Sequence, residues 1–265
     1  MSKGSKRRRK FKRAKKNIFG LPRLGFLLIV SFTLIVIASY IVINLSANPP
    51  SNGGELKVAI LDSLYVMDPN ESFLDEANRT LSDAGFDVDM YIGSDVTVEL
   101  FKNLPSLGYK LIVLRVHTAY EPDIVAFFTG NYADSGYFTE QLMGWVRIGE
   151  VEGERFYAVT PDLIRIASSG GFQKSIVIVD SCYGLNLTSM AIAFIEKGAS
   201  AYIAWDKGVY PNYSDNATLR LIDNLLEGMT VEEAIQATPS DPSKFGSVLS
   251  CYPDDGGDIR LIPID

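Results

Sequence analysis

The chain has 265 residues, 47% of them apolar, with 25 Lys or Arg against 32 Asp or Glu and a formal net charge of −7. That apolar content supports a buried core and excludes a disordered chain, and the length fits one large domain or two small ones. The one histidine and two cysteines form no cluster with zinc-ligand spacing, and no Gly-rich phosphate loop is present.

Charge is divided by position. Residues 1–23 hold 11 Lys or Arg and no acid, which leaves 14 basic against 32 acidic residues, a net −18, in the remainder. The next 20 residues, Leu24 to Ile43, are uncharged and rich in Leu, Ile, Val and Phe. About 20 such residues cross a bilayer. This run is longer than the about 7 to 15 apolar residues of a cleaved signal, and its basic flank predicts a cytoplasmic N-terminus. The expectation is therefore a single-pass signal anchor in the plasma membrane with the C-terminal domain outside the cell, rather than a nucleic-acid-binding patch. Asn-X-Ser/Thr sequons begin at Asn44, Asn70, Asn78, Asn186, Asn212 and Asn216, six of the 12 asparagines. About one asparagine in eight would qualify by chance, so the excess predicts an exported glycoprotein, with Asn186 set aside as a helix cap. The resulting domains are 1–23, a basic cytoplasmic tail; 24–45, the anchor; 46–54, a linker stiffened by Pro49 and Pro50 and loosened by Gly53 and Gly54; and 55–265, an extracytosolic domain.

Within that domain short β-branched runs alternate with helical periods, the pattern of βαβ units and a mostly parallel sheet. Strands are predicted at 57–61, 87–92, 110–116, 175–179 and 200–205, with a late pair at 247–251 and 259–262. Helices are predicted at 72–84, 96–104, 139–146, 161–167, 187–197, 217–228 and 230–238. Gly85 and Gly198 each end a helical period as a C-terminal cap does. About 55 residues separate the third and fourth strands, too many for a simple crossover, and Tyr157-Ala158-Val159 predicts an extra strand in a lid or rim there.

Two reactive side chains fall just past two of these strands: His117, the only histidine, after residues 110–116, and Cys182 after residues 175–179. Carboxyl ends of strands are where open α/β sheets place their chemistry. A thiolate attacks carbonyl carbon, and a neighbouring histidine accepts its proton and returns it to the leaving amine. A helix starting near Asn186 would present its positive end to both the thiolate and a developing oxyanion.

Asp180-Ser181-Cys182-Tyr183-Gly184 after a β-branched strand, followed by residues 198–205, resembles the nucleophile region of caspase-like cysteine peptidases, a group that includes metacaspases, paracaspases, gingipains and legumains. The resemblance covers roughly residues 57–208. It implies an α/β caspase-like fold, a mostly parallel sheet flanked by helices, here preceded by one transmembrane helix. It also implies peptide-bond hydrolysis by a Cys182–His117 dyad, with the backbone N–H groups of Cys182 and Thr118 as oxyanion hole. Where the family has glycine after the histidine, this chain has Thr118. The aspartate two before the cysteine is a metacaspase and paracaspase feature. By the same resemblance Asp180, with Asp62 and Asp206 at two further strand ends, would line a pocket for the Arg or Lys before the cleaved bond, through charge-assisted hydrogen bonds. The expected partner is a peptide or protein substrate with basic residues.

Other readings stay open beside this one. The domain is alternatively a catalytically silent caspase-like module that binds surface proteins, or a legumain-like, asparagine-specific peptidase or transpeptidase. Cys182 and Cys251 are alternatively a disulfide, the even count expected in an exported domain; otherwise Cys251 is a core residue. Asp254-Asp255-Gly256-Gly257-Asp258 reads as a hairpin turn in preference to a calcium site, because its spacing departs from the twelve-residue calcium loop. No resident cofactor or metal is expected, calcium being the only one considered.

Overall fold

Four strands of this protein are apolar on both faces, which only a sheet covered by helices on each side can satisfy. The computed structural model describes residues 56–121 and 124–262, part of the second of two units, Glu55–Asp265. The expected basic tail, signal anchor and linker lie outside these residues, and among the described residues no helix is long and apolar enough to cross a membrane.

The strands are β1 (Lys57–Asp62), β2 (Asp87–Ile92), β3 (Leu111–Arg115), β4 (Thr118–Glu121), β5 (Ile124–Tyr132), β6 (Val146–Val151), β7 (Glu154–Val159), β8 (Ile176–Asp180), β9 (Ala201–Trp205) and β10 (Leu249–Tyr252). The α-helices are α1 (Glu71–Asp83), α2 (Val98–Asn103), α3 (Phe138–Leu142), α4 (Ser189–Glu196), α5 (Pro211–Leu226) and α6 (Val231–Ala237). The main sheet has the order β2-β1-β3-β8-β9-β10, parallel throughout except for β10, which runs antiparallel to β9. Alternate residues of β1, β3, β8 and β9 face opposite layers. Val58, Leu111 and Ile178 pack with α1, α5 and α6, whereas Ala59, Ile112 and Val179 pack with α2 and α4.

Local chemistry sets the helix starts. Asn70 accepts a hydrogen bond from Phe73 N at 3.1 Å, Thr97 from Leu100 N at 2.9 Å, and Thr230 forms a reciprocal capping box with Glu233. The helix expected at 217–228 begins earlier, because Pro211 occupies its first turn, where a missing N–H costs nothing. The helix expected at 139–146 ends at Leu142, where Gly144 at φ +72° turns the chain into β6. Residues 161–167 form one π-helical turn, Leu163–Ala167. No strand forms at 259–262; Arg260 makes a single bridge to Thr230, and Asp254–Asp258 is a 3-10 turn rather than a hairpin.

The long connection between β3 and β8 carries a second sheet, β4-β5-β7-β6, entirely antiparallel. It is fastened to the end of β2 by backbone. Gly130 N donates to Val96 O at 2.8 Å, and a Cβ on Gly130 would lie 1.7 Å from Gly93 O. Only glycine allows that approach.

At the carboxyl ends of the main sheet, Asp62, Arg115 and Asp180 stand side by side on β1, β3 and β8, paired Asp62 with Arg115 and Arg115 with Asp180. Arg115 is fully buried. Its Nη1 donates to Asp62 Oδ1 and Oδ2 at 3.1 and 3.2 Å, its Nε to Asp215 Oδ1 at 2.7 Å and its Nη2 to Asp215 Oδ2 at 3.2 Å. Replacing one member of such a cluster strands the others. Arg115→Met should therefore lower unfolding free energy by about 3 to 5 kcal/mol, measured by urea denaturation, although methionine fills similar space.

Candidate active site

Register decides which side chains meet at the sheet's carboxyl edge. Arg115 and Asp180 are partners across β3 and β8, and Val116 N donates to Asp180 O at 3.3 Å just beyond them. His117 and Cys182 each follow by two residues, so the structure sets both expected catalytic residues at equal offsets past adjacent parallel strands.

His117 is half-buried, with its ring edge-on to Phe128 at 5.2 Å. Its carbonyl accepts from Phe128 N at 2.9 Å and starts the β4–β5 ladder. Burial lowers its pKa below the ordinary histidine value, partly opposed by the negative charge of Glu152 in the β6–β7 turn. The imidazole is therefore neutral at pH 7, the form that accepts a proton.

Cys182 is also half-buried, packed against the small cluster of Trp205, Val209 and Ala217. Its Sγ donates to Val209 O at 3.2 Å and accepts from Val209 N at 3.3 Å. Burial pushes the thiol pKa up, and the charge of Asp180 adds to the rise, against the stabilising N–H of Val209. The helix expected to start near Asn186 starts instead at Ser189, so its N-terminus does not abut the nucleophile, and Asn186 is an exposed turn residue rather than a cap. The turn itself comes from Tyr183 at φ +57°. Gly184 follows because a Cβ there would lie 2.9 Å from Ala204 Cβ and 3.2 Å from Val179 Cγ1. Cys182 and Cys251 are both free thiols.

Thr118 directs its hydroxyl sideways into a hydrogen bond with Ser181 Oγ. Thr118 pairs with Phe127 while His117 O bonds Phe128 N, which makes Thr118–Phe127 a non-hydrogen-bonded pair. The Thr118 N–H thus points away from β5, as an oxyanion donor must.

The three expected pocket acids part company. Asp62 and Asp180 are 0% and 3% exposed on either side of Arg115, which bonds Asp62 and Asp215 of α5, while Asp180 stands beside it in register. They do not form an open basic-residue pocket, because the guanidinium already inside the protein takes that place. Burial outweighs Arg115 at Asp62 and pushes its pKa up to about 6. Asp206 lies apart: its Oδ1 accepts from Val248 N at 2.6 Å and Ser247 Oγ at 3.3 Å, and its side chain remains 33% exposed. Asp215 was not foreseen. Pro211 was the available signal, since a helix starting there carries Asp215 in its second turn. Among the described residues no group of three or more His, Cys, Asp or Glu is arranged to hold a metal.

Compared with known proteins, the chain matches no family model, and no curated protein sequence matches it.

The tight packing of the nucleophile turn is testable by itself. Gly184→Ala should cost about 1 to 3 kcal/mol in chemical denaturation, because the added methyl overlaps Ala204.

Proposed function

We propose that the domain is a caspase-like cysteine endopeptidase, anchored to a membrane through Leu24 to Ile43 and acting outside the cell. The observation that carries this reading is the shared offset of His117 and Cys182 past the hydrogen-bonded strands β3 and β8. The β2-β1-β3-β8-β9-β10 order, with a final antiparallel strand, supports the fold assignment.

In the reaction Cys182 Sγ gives up its hydrogen bonds to Val209, passes its proton to His117 and attacks the substrate carbonyl. The N–H groups of Cys182 and Thr118 receive the oxyanion. His117 returns the proton to the departing amine, then takes one from the water that hydrolyses the thioester. Of the three expected specificity carboxylates, Asp206 is the one that stays partly exposed, with Lys207 Nζ 4.0 Å from its Oδ2, and a preference for Arg or Lys rests on a substrate displacing that lysine. A partly exposed charge of this kind is worth roughly 1 kcal/mol.

The full-length chain in detergent should cleave fluorogenic peptides after Arg or Lys, and lose that activity in Cys182→Ala and His117→Ala. Asp206→Asn should reduce kcat/KM for basic peptides by about fivefold, the equivalent of roughly 1 kcal/mol. Because His117 titrates below the ordinary value of about 6.5, activity should hold through that pH and fall only below it. A second reading, a silent binding domain, is favoured by the two hydrogen bonds that hold Cys182 Sγ to Val209. It prevails if Arg, Lys, Asn and Asp peptides all remain uncut with and without calcium while a thiol-reactive probe leaves Cys182 unlabelled.

A further inference from the structure

The buried cluster beneath the dyad has three carboxylates and one guanidinium. Every donor interaction of Arg115 goes elsewhere than to Asp180: Nη1 to Asp62 and to Asp68 O at 2.9 Å, Nε and Nη2 to Asp215, with Nη2 also 3.6 Å from Asp68 Oδ2. Asp215 gains one more donor, Asn70 Nδ2, at 2.6 Å from Oδ2. Asp180 Oδ1 accepts from Ser214 Oγ, and Asp180 Oδ2 is buried without any partner. Ser214 is the residue before Asp215, and the negative charge of Asp215 acts on Asp180.

An ionised carboxylate with a bare oxygen, set against a second carboxylate in a dry interior, is among the costliest arrangements a fold can contain. A proton on Asp180 Oδ2 removes the cost by cancelling the charge. Asp215 already accepts from three N–H donors, two of Arg115 and one of Asn70, whereas Asp180 Oδ2 has none.

We propose that Asp180 carries a proton in the folded protein, and that Asp180 is a positioning residue whose neutral state keeps the Cys182 thiol ionisable. Cys182 is two residues along the same chain, and a negative Asp180 opposes thiolate formation there. The charged and titratable groups around Asp180 are Asp62 from β1, Arg115 and His117 from β3 and its end, Asp215 from α5 and Asp68 from the segment before α1; Asp206 ends the neighbouring β9. Burial first, then the charge of Asp215, raises the Asp180 pKa well above the carboxylate range, against the Ser214 hydrogen bond. The inference rests on Cys182 being the nucleophile, but its test does not require peptide cleavage.

Full-length protein in detergent with 13C-labelled aspartate carboxyls is titrated by NMR, with Asp180→Asn assigning the resonance. The expected result is that the Asp180 carboxyl, identified as the resonance lost in Asp180→Asn and distinct from that of Asp62, stays protonated at least about two pH units above the ordinary aspartate value of about 3.9. If the Asp180 resonance titrates below that point, the proposal is overturned. In parallel, iodoacetamide alkylation of Cys182 is followed by peptide mass from pH 7 to 9.5. Asp180→Asn, permanently neutral, should react at least threefold faster than wild type at the alkaline end, with the ratio growing as pH rises. Equal rates throughout in folded protein reject the link to the thiol. Should Asp180→Asn fail to fold, titration of the wild type alone still decides whether the proton is there. Failure of the peptidase reading would appear in the peptide assays and leave the carboxyl titration untouched.

Discussion

One guanidinium, Arg115, makes the carboxyl end of the sheet possible. Three carboxyl groups are buried there on two strands and a helix, and those of Asp62 and Asp215 are held by the Arg115 guanidinium. Arg115 stands between Asp62 and Asp180 in register, reaches Asp215 with two nitrogens and lies over the Phe73 ring at 5.8 Å. A planar five-donor fork can serve two carboxylates and a backbone carbonyl at once, which lysine cannot. The same contacts tie α1, through Asn70 and Phe73, and α5, through Asp215, to the strand ends that carry His117 and Cys182. Charge compensation and positioning of the dyad are thus one structural feature.

The other half of the site depends on the antiparallel insertion. His117 stands where β3 gives way to β4, and its carbonyl is the first acceptor of the β4–β5 ladder. Backbone contact at Gly130 holds β5 against the end of β2, while Thr118 and Ser181 join their hydroxyls across the gap between the two catalytic turns. Histidine position is therefore set by a second sheet that has its own core of Ala126, Phe128, Phe156 and Ala158. The insertion supplies Phe128 against the imidazole and Glu152 as the charge facing it, so it shapes the proton acceptor as well as the rim.

β1, β3, β8 and β9 were legible because their apolar runs are continuous, and a continuous run bounded by turn residues has few other structural solutions; β2 was legible from the alternation in Asp87-Val88-Asp89-Met90. In the second sheet only residues 157–159 were foreseen: β4 has four residues and β6 is mixed in polarity, but the apolar run Ile124-Val125-Ala126-Phe127-Phe128 of β5 was a strand signal left unread. Arg115 was the clearest unread signal. A charged residue inside Leu111-Ile112-Val113-Leu114-Arg115-Val116 must be paired if the run is buried, and acids at the ends of the neighbouring strands are its natural partners. Read in that way, Asp62 and Asp180 belong to Arg115 before they belong to any substrate. Asp215 remained hidden because its helix was started at residue 217, and pairing between a helix and strands 100 or more residues away in sequence leaves no periodic trace.

The nucleophile motif also changes weight once packing is known. Gly184 is required by Val179 and Ala204 whatever the chemistry, and Asp180 belongs to the charge cluster, so neither speaks specifically for catalysis. Cys182 and His117 are different. A small apolar residue would satisfy the contacts with Trp205 and Val209, and a polar strand-end residue would satisfy the start of the β4–β5 ladder. Packing explains that something occupies each position; it does not explain a thiol at one and the chain's only imidazole at the other. The functional argument therefore rests on that pair, and the surrounding cluster governs how readily its thiol can ionise.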